Sequence, residues 1–445
     1  MTTQQRHKAF PEHWQLIRHM AAPNTYKFNK RRFSMHLNVS KLFIGTLLLI
    51  FLRHAVAGEA AAGSLSESSY LTGDWGGARS RLAEQGVGLE MEYTALYQGL
   101  VSGDGDKTFE YGGKADVFLN LDSGKLGLWQ GGGLRAHVEY RHGDAKPFTG
   151  GALLPVNSAV LTPIGADEEV EATSLFLTQV FGKTNVLMVG KIDAFDLLAA
   201  DPFFGGWGTQ RMMNTAFVAP PNGIIPAVMM GAVASFATQP VALTVMVFDP
   251  NDRSTSYFPD DLFSDGTSAS LSVTYPTTLA GRKTSYTLSG SYSSKDGADF
   301  STLPPGIETT TKDGSYSVEF QFGHNLQEDS NNADAWGVYL KAATTGGNPN
   351  PIDYSVIGGI GGKPLFFNRP QDSFGIGYFY YAFDDDLRDV LNPLVDFHNE
   401  EGLEIFYSYA VTPWLHVTPD LQYIDPASGG NNNAFVAALR ANIRF

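Results

Sequence analysis

The chain has 445 residues, 43% hydrophobic and 12% aromatic, with no cysteine. Its longest apolar run, Leu42 to Leu52, is too short for a membrane-spanning helix, which takes about 20 apolar residues. With residues 1–57 set aside as a leader, 22 basic residues face 45 acidic ones, and so acidic a balance excludes nucleic acid as a partner.

Lys30, Arg31, Arg32 and Lys41 precede that apolar run, and Ala55-Val56-Ala57 follows it as a small-x-small cleavage site. Residues 35–57 therefore read as a signal peptide starting at Met35, and residues 1–34 as a misassigned upstream extension, with one long export signal as the alternative. An exported chain without a disulfide has to be held by its core or its surroundings. Residues 58–86 form a lead: 58–69 are small and polar, and within Tyr70 to Gly86 Asp74 caps a short helix that stops at Gly86.

From Val87 the pattern alternates. Val87, Leu89, Met91, Tyr93, Ala95 and Tyr97 share one face, with Glu90, Glu92, Thr94 and Gln98 opposite. The segment Phe109 to Asp122 repeats the scheme, setting Tyr111, Val117 and Leu119 against Glu110, Lys114, Asp116 and Asn120. In the third segment Leu134, Ala136, Val138 and Tyr140 oppose Arg135, His137, Glu139 and Arg141. Four ionisable residues on one strand face cannot enter a sandwich core unpaired, but they fit a water-filled interior.

Further segments fall near 173–181, 186–194, 227–237, 241–249, 268–275, 284–294, 314–322, 335–344, 355–362, 372–383, 402–411, 414–425 and 435–445. In the last, Phe435, Ala437, Leu439, Ala441, Ile443 and Phe445 alternate with Arg440, Asn442 and Arg444. Segments 227–237 and 241–249 alternate poorly. Residues 87–445 are thus expected to form one all-β unit, a transmembrane antiparallel β-barrel of about sixteen strands, an even number that leaves both ends on one side. The odd connections, including 143–172, 195–226, 250–267, 295–313 and 384–401, are mostly longer than the even ones, as outer loops are against periplasmic turns. The short 100–108 and the long 323–334 depart from that parity.

Gly73-Asp-Trp-Gly-Gly-Ala-Arg79, Leu126-Gly-Leu-Trp-Gln-Gly-Gly132, Gly190-Lys-Ile-Asp193 and Thr412-Pro-Trp-Leu-His-Val-Thr-Pro-Asp-Leu-Gln-Tyr423 followed by Pro426 carry a likeness, in their order and spacing, across Tyr70 to Phe445. The chain resembles the OprB family of carbohydrate-selective porins. That resemblance implies a sixteen-stranded channel in the outer membrane of a Gram-negative cell, passing glucose and related small sugars by diffusion, with an inward-folded third outer loop. It also implies that Phe445 is the signal read by the barrel-assembly machinery. The sugar itself, the ion preference and the choice between monomer and homotrimer stay open.

Passive transport needs weak, replaceable contacts, because a solute that binds tightly does not leave. Sugars are served by charged and amide groups that exchange hydrogen bonds with hydroxyls, and by an aromatic face. The third outer connection, Phe195 to Pro226, offers Trp207, Gln210, Arg211 and Asn214 behind Gly205-Gly206, and the wall offers Arg135, Glu139, Arg141, Lys191 and Asp193. Each has a plainer reading: Arg135 and Arg141 as wet lining, Trp207 as a pin for the loop, Lys191 and Asp193 as partners of each other. Glu404, Asp420 and Gln422 read as a structural hydrogen-bond network.

Neither an HExxH helix nor a Gly-x-Ser-x-Gly elbow occurs, so an outer-membrane hydrolase is disfavoured and no cofactor or metal is expected. Glu400, Glu401 and Glu404 are weighed as a glycosidase pair against an exposed acidic rim, and the rim is preferred. Asp104-Gly-Asp106 and Asp384-Asp-Asp386 sit in outer loops, where they bridge lipopolysaccharide through divalent cations or serve solubility alone. A general size-limited porin and a plugged structural or adhesive barrel remain as rivals to the sugar channel.

Overall fold

The computed structural model describes residues 66–160, 170–199, 201–218, 223–256, 259–302, 310–329, 335–347, 350–367, 369–428 and 432–445. The expected leader over 1–57 lies outside these residues. The described strands are β1 (Val87–Ser102), β2 (Glu110–Asp122), β3 (Gly132–Gly143), β4 (Val170–Phe181), β5 (Asn185–Asp193), β6 (Val228–Ala237), β7 (Ala242–Phe248) and β8 (Ser268–Leu279). They continue with β9 (Arg282–Ala298), β10 (Thr311–Glu328), β11 (Ala335–Gly347), β12 (Ile352–Gly362), β13 (Ser373–Phe383), β14 (Glu400–Thr412), β15 (Leu415–Asp425) and β16 (Ala434–Arg444). Each pairs with its sequence neighbours, and β1 pairs antiparallel with β16, which closes the ring.

The burial pattern is that of a chain with oil outside and water within. Leu403, Ile405, Leu421 and Leu439 are exposed, whereas Glu404, Asp420, Gln422 and Arg440, one residue away, are buried. A water-soluble protein shows the reverse. Along each strand the two rows are fixed by the period of two, so the apolar row faces lipid and the polar row faces the bore.

Two departures from the sequence reading have physical causes. Strand β10 runs on to Glu328, with Trp336 Nε1 donating to Gln327 Oε1 at 2.9 Å, so the turn expected to span 323–334 is in fact short. The poorly alternating segments are β6 and β7 after all. Met229, Val233, Met246 and Phe248 join Phe176 and Ile192 in an apolar cluster packed by Leu197 and Ile225 of the connection between β5 and β6. The face turned away from lipid is therefore apolar there too, which erases the alternation.

The lead locks the seam. Its helix, Ala78–Glu84, starts later than expected because Trp75, Gly76 and Gly77 all adopt positive φ ahead of it. Asp74 still serves the first turn, its Oδ1 accepting from Ser80 N at 2.9 Å. Arg79 stacks between Tyr70 and Trp75 and donates to the Phe445 main-chain oxygen at 2.5 Å. Phe445 N in turn donates to Met91 O at 2.9 Å, and Leu71 N to Arg444 O at 2.8 Å.

Candidate functional site

The connection from β5 to β6 begins with a helix, Ala194–Leu198, whose first turn is capped by Asp193, Oδ1 accepting from Phe195 N at 2.9 Å. From there the chain is held by strands other than the two it joins. Asp201 accepts from Gln321 Nε2 on β10 at 2.8 Å. The amides of Met213 and Asn214 both donate to the Glu404 carboxylate on β14, the second at 2.9 Å. Arg440 on β16 donates to the carbonyls of Gly208 and Arg211 at 2.7 and 2.9 Å. Phe203, Phe204, Met212 and Phe217 pack with Tyr339, Phe379, Tyr381 and Phe406 of the wall. Glycine at 377 permits this, since a Cβ there would overlap the Phe217 ring.

A second connection, between β3 and β4, is attached to the same wall, which the sequence reading did not anticipate. Glu400 on β14 accepts from Leu153 N at 2.7 Å, Leu154 N at 2.8 Å and Ala427 N at 3.1 Å. Gln422 Nε2 donates to Val156 O at 2.9 Å. The two connections are also joined to each other, Thr215 N donating to Pro155 O and Ser158 N to Met213 O, both at 2.9 Å. Glu400 and Glu404 are thus fully buried acceptors of main-chain amides, not the exposed acidic rim expected of them. The hydrogen-bond network expected of Glu404, Asp420 and Gln422 is present, with Gln422 Nε2 3.1 Å from Asp420 and Gln422 Oε1 3.1 Å from Asn214 Nδ2.

Most of the wall candidates converge on an inward residue of β3 that was not among the candidate site residues, His137. His137 Nε2 lies 2.9 Å from Asp116 and 3.5 Å from Glu139, and its Nδ1 lies 3.4 Å from Asp196 and 4.0 Å from Asp193. Arg135 Nε approaches Asp196 at 3.5 Å and stands over the Phe118 ring. Trp207 stacks on Phe118 at 5.7 Å and tilts toward His137 at 6.1 Å. Arg141 is buried within the field of Glu139, Asp116, Glu171 and Asp193. In the loop, burial pushes the Asp196 carboxyl up, but the hydrogen bond and charge of His137 outweigh that and hold it below its usual range.

Asp116, His137 and Glu139 could by spacing hold a metal ion. The ammonium of Lys114, however, sits 3.0 Å from Asp116 and 2.8 Å from Glu139, where it supplies the neutralising charge. Lys114 and Asp116 escaped the reading because alternation gives a face and not a register. Only the pairing of Asp116 with Glu139 and of Lys114 with Arg141 brings them to the cluster. Lys191 is not part of it. Its Nζ donates to Ser254 O and Ser256 O, at 2.8 and 2.9 Å, in the connection after β7.

Gln210 and Arg211 stand apart from the cluster. They line a cavity of about 390 Å³ together with Asn325, Gln371 and Asn442 and the rings of Phe203, Tyr339 and Phe406. Lys283, Lys363, His416 and Arg444 also line it, from strand ends beside the even, short turns, so the cavity opens on the side of the barrel that carries the two termini.

Residues 106–445 match the carbohydrate-selective porins of the OprB family. The chain belongs to that family. Porin B of Pseudomonas aeruginosa is 25% identical over 443 residues, covering 87% of this chain and 94% of that protein. The structure of Pseudomonas putida OprB at high pH is 21% identical and superposes with a TM-score of 0.74 over 87% of this chain and the whole of that one. The same protein at low pH gives a TM-score of 0.54 at 17% identity, over 85% of this chain and 99% of that one. This OprB-family chain is an integral outer-membrane sugar channel and not an enzyme.

Proposed function

We propose that small sugars of monosaccharide size pass beside the connection between β5 and β6, which narrows the bore, and are handled by Gln210 and Arg211 as they enter the cavity beyond it. The observation that carries this is the cavity lining: amides at Gln210, Asn325, Gln371 and Asn442, with the rings of Phe203, Tyr339 and Phe406. Amides exchange hydrogen bonds with sugar hydroxyls at little net cost, and ring faces suit the C–H side of a pyranose. No ligand held this way is bound deeply, which is what a diffusion path requires. Arg135, Glu139, Arg141, Asp193 and Trp207 act one step back, fixing the base of the connection through His137 and Phe118, and Lys191 fixes the neighbouring outer loop. The remaining expectations, contact with lipopolysaccharide at the outer loops and recognition of Phe445 during assembly, rest on the sequence.

Planar-bilayer conductance and liposome swelling test the reading. The channel conducts, passes hexoses faster than disaccharides, and loses part of its current when hexose is added. Gln210→Ala relieves that block while leaving barrel assembly intact. Conductance without any block by sugar would make the protein a general size-limited porin, and a silent bilayer would make it a plugged barrel.

A further inference from the structure

The two buried carboxylates of β14 are held chiefly by main-chain amides, with Arg440 in the field of Glu404 and His398 in that of Glu400. The Glu400 side chain accepts from three main-chain amides: Leu153 and Leu154 from one outer connection and Ala427 from another. Glu404 takes the amides of Met213 and Asn214, one on each oxygen, and its carboxyl also meets that of Asp420 on β15. Both stand on the same inward row, four residues apart, and both are fully buried. Burying a carboxylate is costly unless several donors converge on it, and here three amides meet Glu400 and two meet Glu404. A barrel wall has no structural need of that, because β14 already pairs with β13 and β15 along its length.

The segment between them is gripped from both chemical ends. Arg440 on β16 holds its carbonyls, at Gly208 and Arg211, while Glu404 holds its amides, at Met213 and Asn214. Gln210 lies inside the Arg440 grip and Arg211 at its end, two residues before the Glu404 grip, and both line the cavity. A displacement at residues 213–214 therefore moves the residues that define the free cross-section. The same wall row fixes the neighbouring connection through Glu400, and the two connections brace each other at Pro155–Thr215 and Ser158–Met213.

We propose that Glu400 and Glu404 are the positioning residues that set the size limit of this channel, without touching the sugar themselves. This rests on the reading that the connection between β5 and β6 narrows the bore. A carboxylate is acceptor-only, whereas glutamine has the same shape but presents one NH2 donor. In Glu404→Gln one of the two amides at 213–214 meets a donor instead of an acceptor, and the segment lifts from the wall. Loss of one charge-assisted hydrogen bond shifts the open-to-closed ratio about tenfold.

The experiment compares swelling rates of proteoliposomes in a trisaccharide and in a hexose, together with single-channel conductance. For Glu404→Gln and for Glu400→Gln the trisaccharide-to-hexose ratio rises about tenfold and conductance increases, while the barrel keeps its heat-shifted mobility on gels. The chain has no cysteine, so a disulfide can report on position cleanly. Asn214→Cys with Gln422→Cys replaces a side-chain pair whose tips are in contact at 3.1 Å, and a short bis-methanethiosulfonate bridge joins the two thiols through a reducible mixed disulfide at each end. In the Glu404→Gln background the bridged pair restores the wild-type ratio, and reductant raises it again. An unchanged ratio in a heat-resistant Glu404→Gln barrel overturns the proposal. Should that variant fail to assemble, Glu404→Asp carrying the same cysteine pair decides: a ratio indifferent to bridging and reduction overturns it equally. A wild-type channel that passes no hexose would instead sink the functional reading and leave the loop attachment intact.

Discussion

Leu439 offers the sharpest test of which side of the wall meets lipid. It is the sixth of eleven residues in β16, half exposed, and paired with Tyr97 on β1 and Pro419 on β15. Its neighbour Arg440 is fully buried and bonded to two carbonyls. Arginine placed at the lipid-facing midplane of a barrel costs about 2–4 kcal/mol. Losing a leucine side chain's apolar transfer, complete here because its exposed half lies in hydrocarbon, adds about 2 kcal/mol. Leu439→Arg is therefore expected to destabilise the barrel by about 4–6 kcal/mol, a fall of three to four powers of ten in the folded-to-unfolded ratio. The matching control is Ser291→Arg on the inner row of β9, where the loss is one hydroxyl pair with Ser270, at 2.9 Å, and about 1 kcal/mol. Urea titration of protein reconstituted in vesicles, read by the heat-shifted band on gels, measures both. Equal losses for the two variants, or a larger one for Ser291→Arg, would refute the assignment of the faces.

Three further outcomes are expected. Lys114→Met leaves Asp116 and Glu139 buried without the ammonium they share at 3.0 and 2.8 Å, and lowers stability by about 3–5 kcal/mol in the same titration. Trp207→Ala removes the ring stacked on Phe118 and weakens the base of the third outer connection by about 0.5–1.5 kcal/mol, seen as faster proteolysis there with the barrel intact. In the loop after β7, burial raises the Asp249 carboxyl, but Arg253, at 2.9 Å, and the Phe263 and Asn251 amides outweigh it and leave it lowered. Since the folded value is the lower one, this anchor contributes in full above the ordinary carboxylate range of about 4 and is lost as pH falls through the folded value. Proteolysis of 250–267 should accelerate on acidification, and Asp249→Asn should be cleaved quickly at every pH.

What could be read from the sequence and what could not divide along a physical line. A barrel strand has lipid on one side and water on the other, so its period of two is imposed residue by residue and needs no knowledge of partners. That is why Leu134 to Arg141 and Phe435 to Arg444 could be assigned to faces at once. Where the second solvent is replaced by a packed loop, as behind Met229, Val233, Met246 and Phe248, the signal fades. The attachments of the outer connections are a different kind of fact. Glu400 meets Leu153 across 247 residues and Glu404 meets Met213 across 191, and nothing local to either residue announces the other. The same holds for the charged cluster: His137, Lys114 and Asp116 are ordinary inward residues until the β2–β3 register sets them against Glu139 and Arg141.

The order of these contacts also constrains when a channel of defined width can exist. The β3–β4 and β5–β6 connections precede the strands that receive them: their amides go to Glu400 and Glu404 on β14, and their carbonyls to Gln422 on β15 and Arg440 on β16. Until those late strands join the ring, the carboxylates have no amides and the amides no carboxylates, and neither side can be buried without a large penalty. Closing the β1–β16 seam and seating the loops must therefore be one cooperative event. A chain cut after β13 should keep residues 201–218 open to protease even where its remaining strands are paired, and supplying β14–β16 as a separate peptide should protect them. Protection of 201–218 in the truncated chain would show that the loop is seated by its own packing, and that the late-strand carboxylates only follow it.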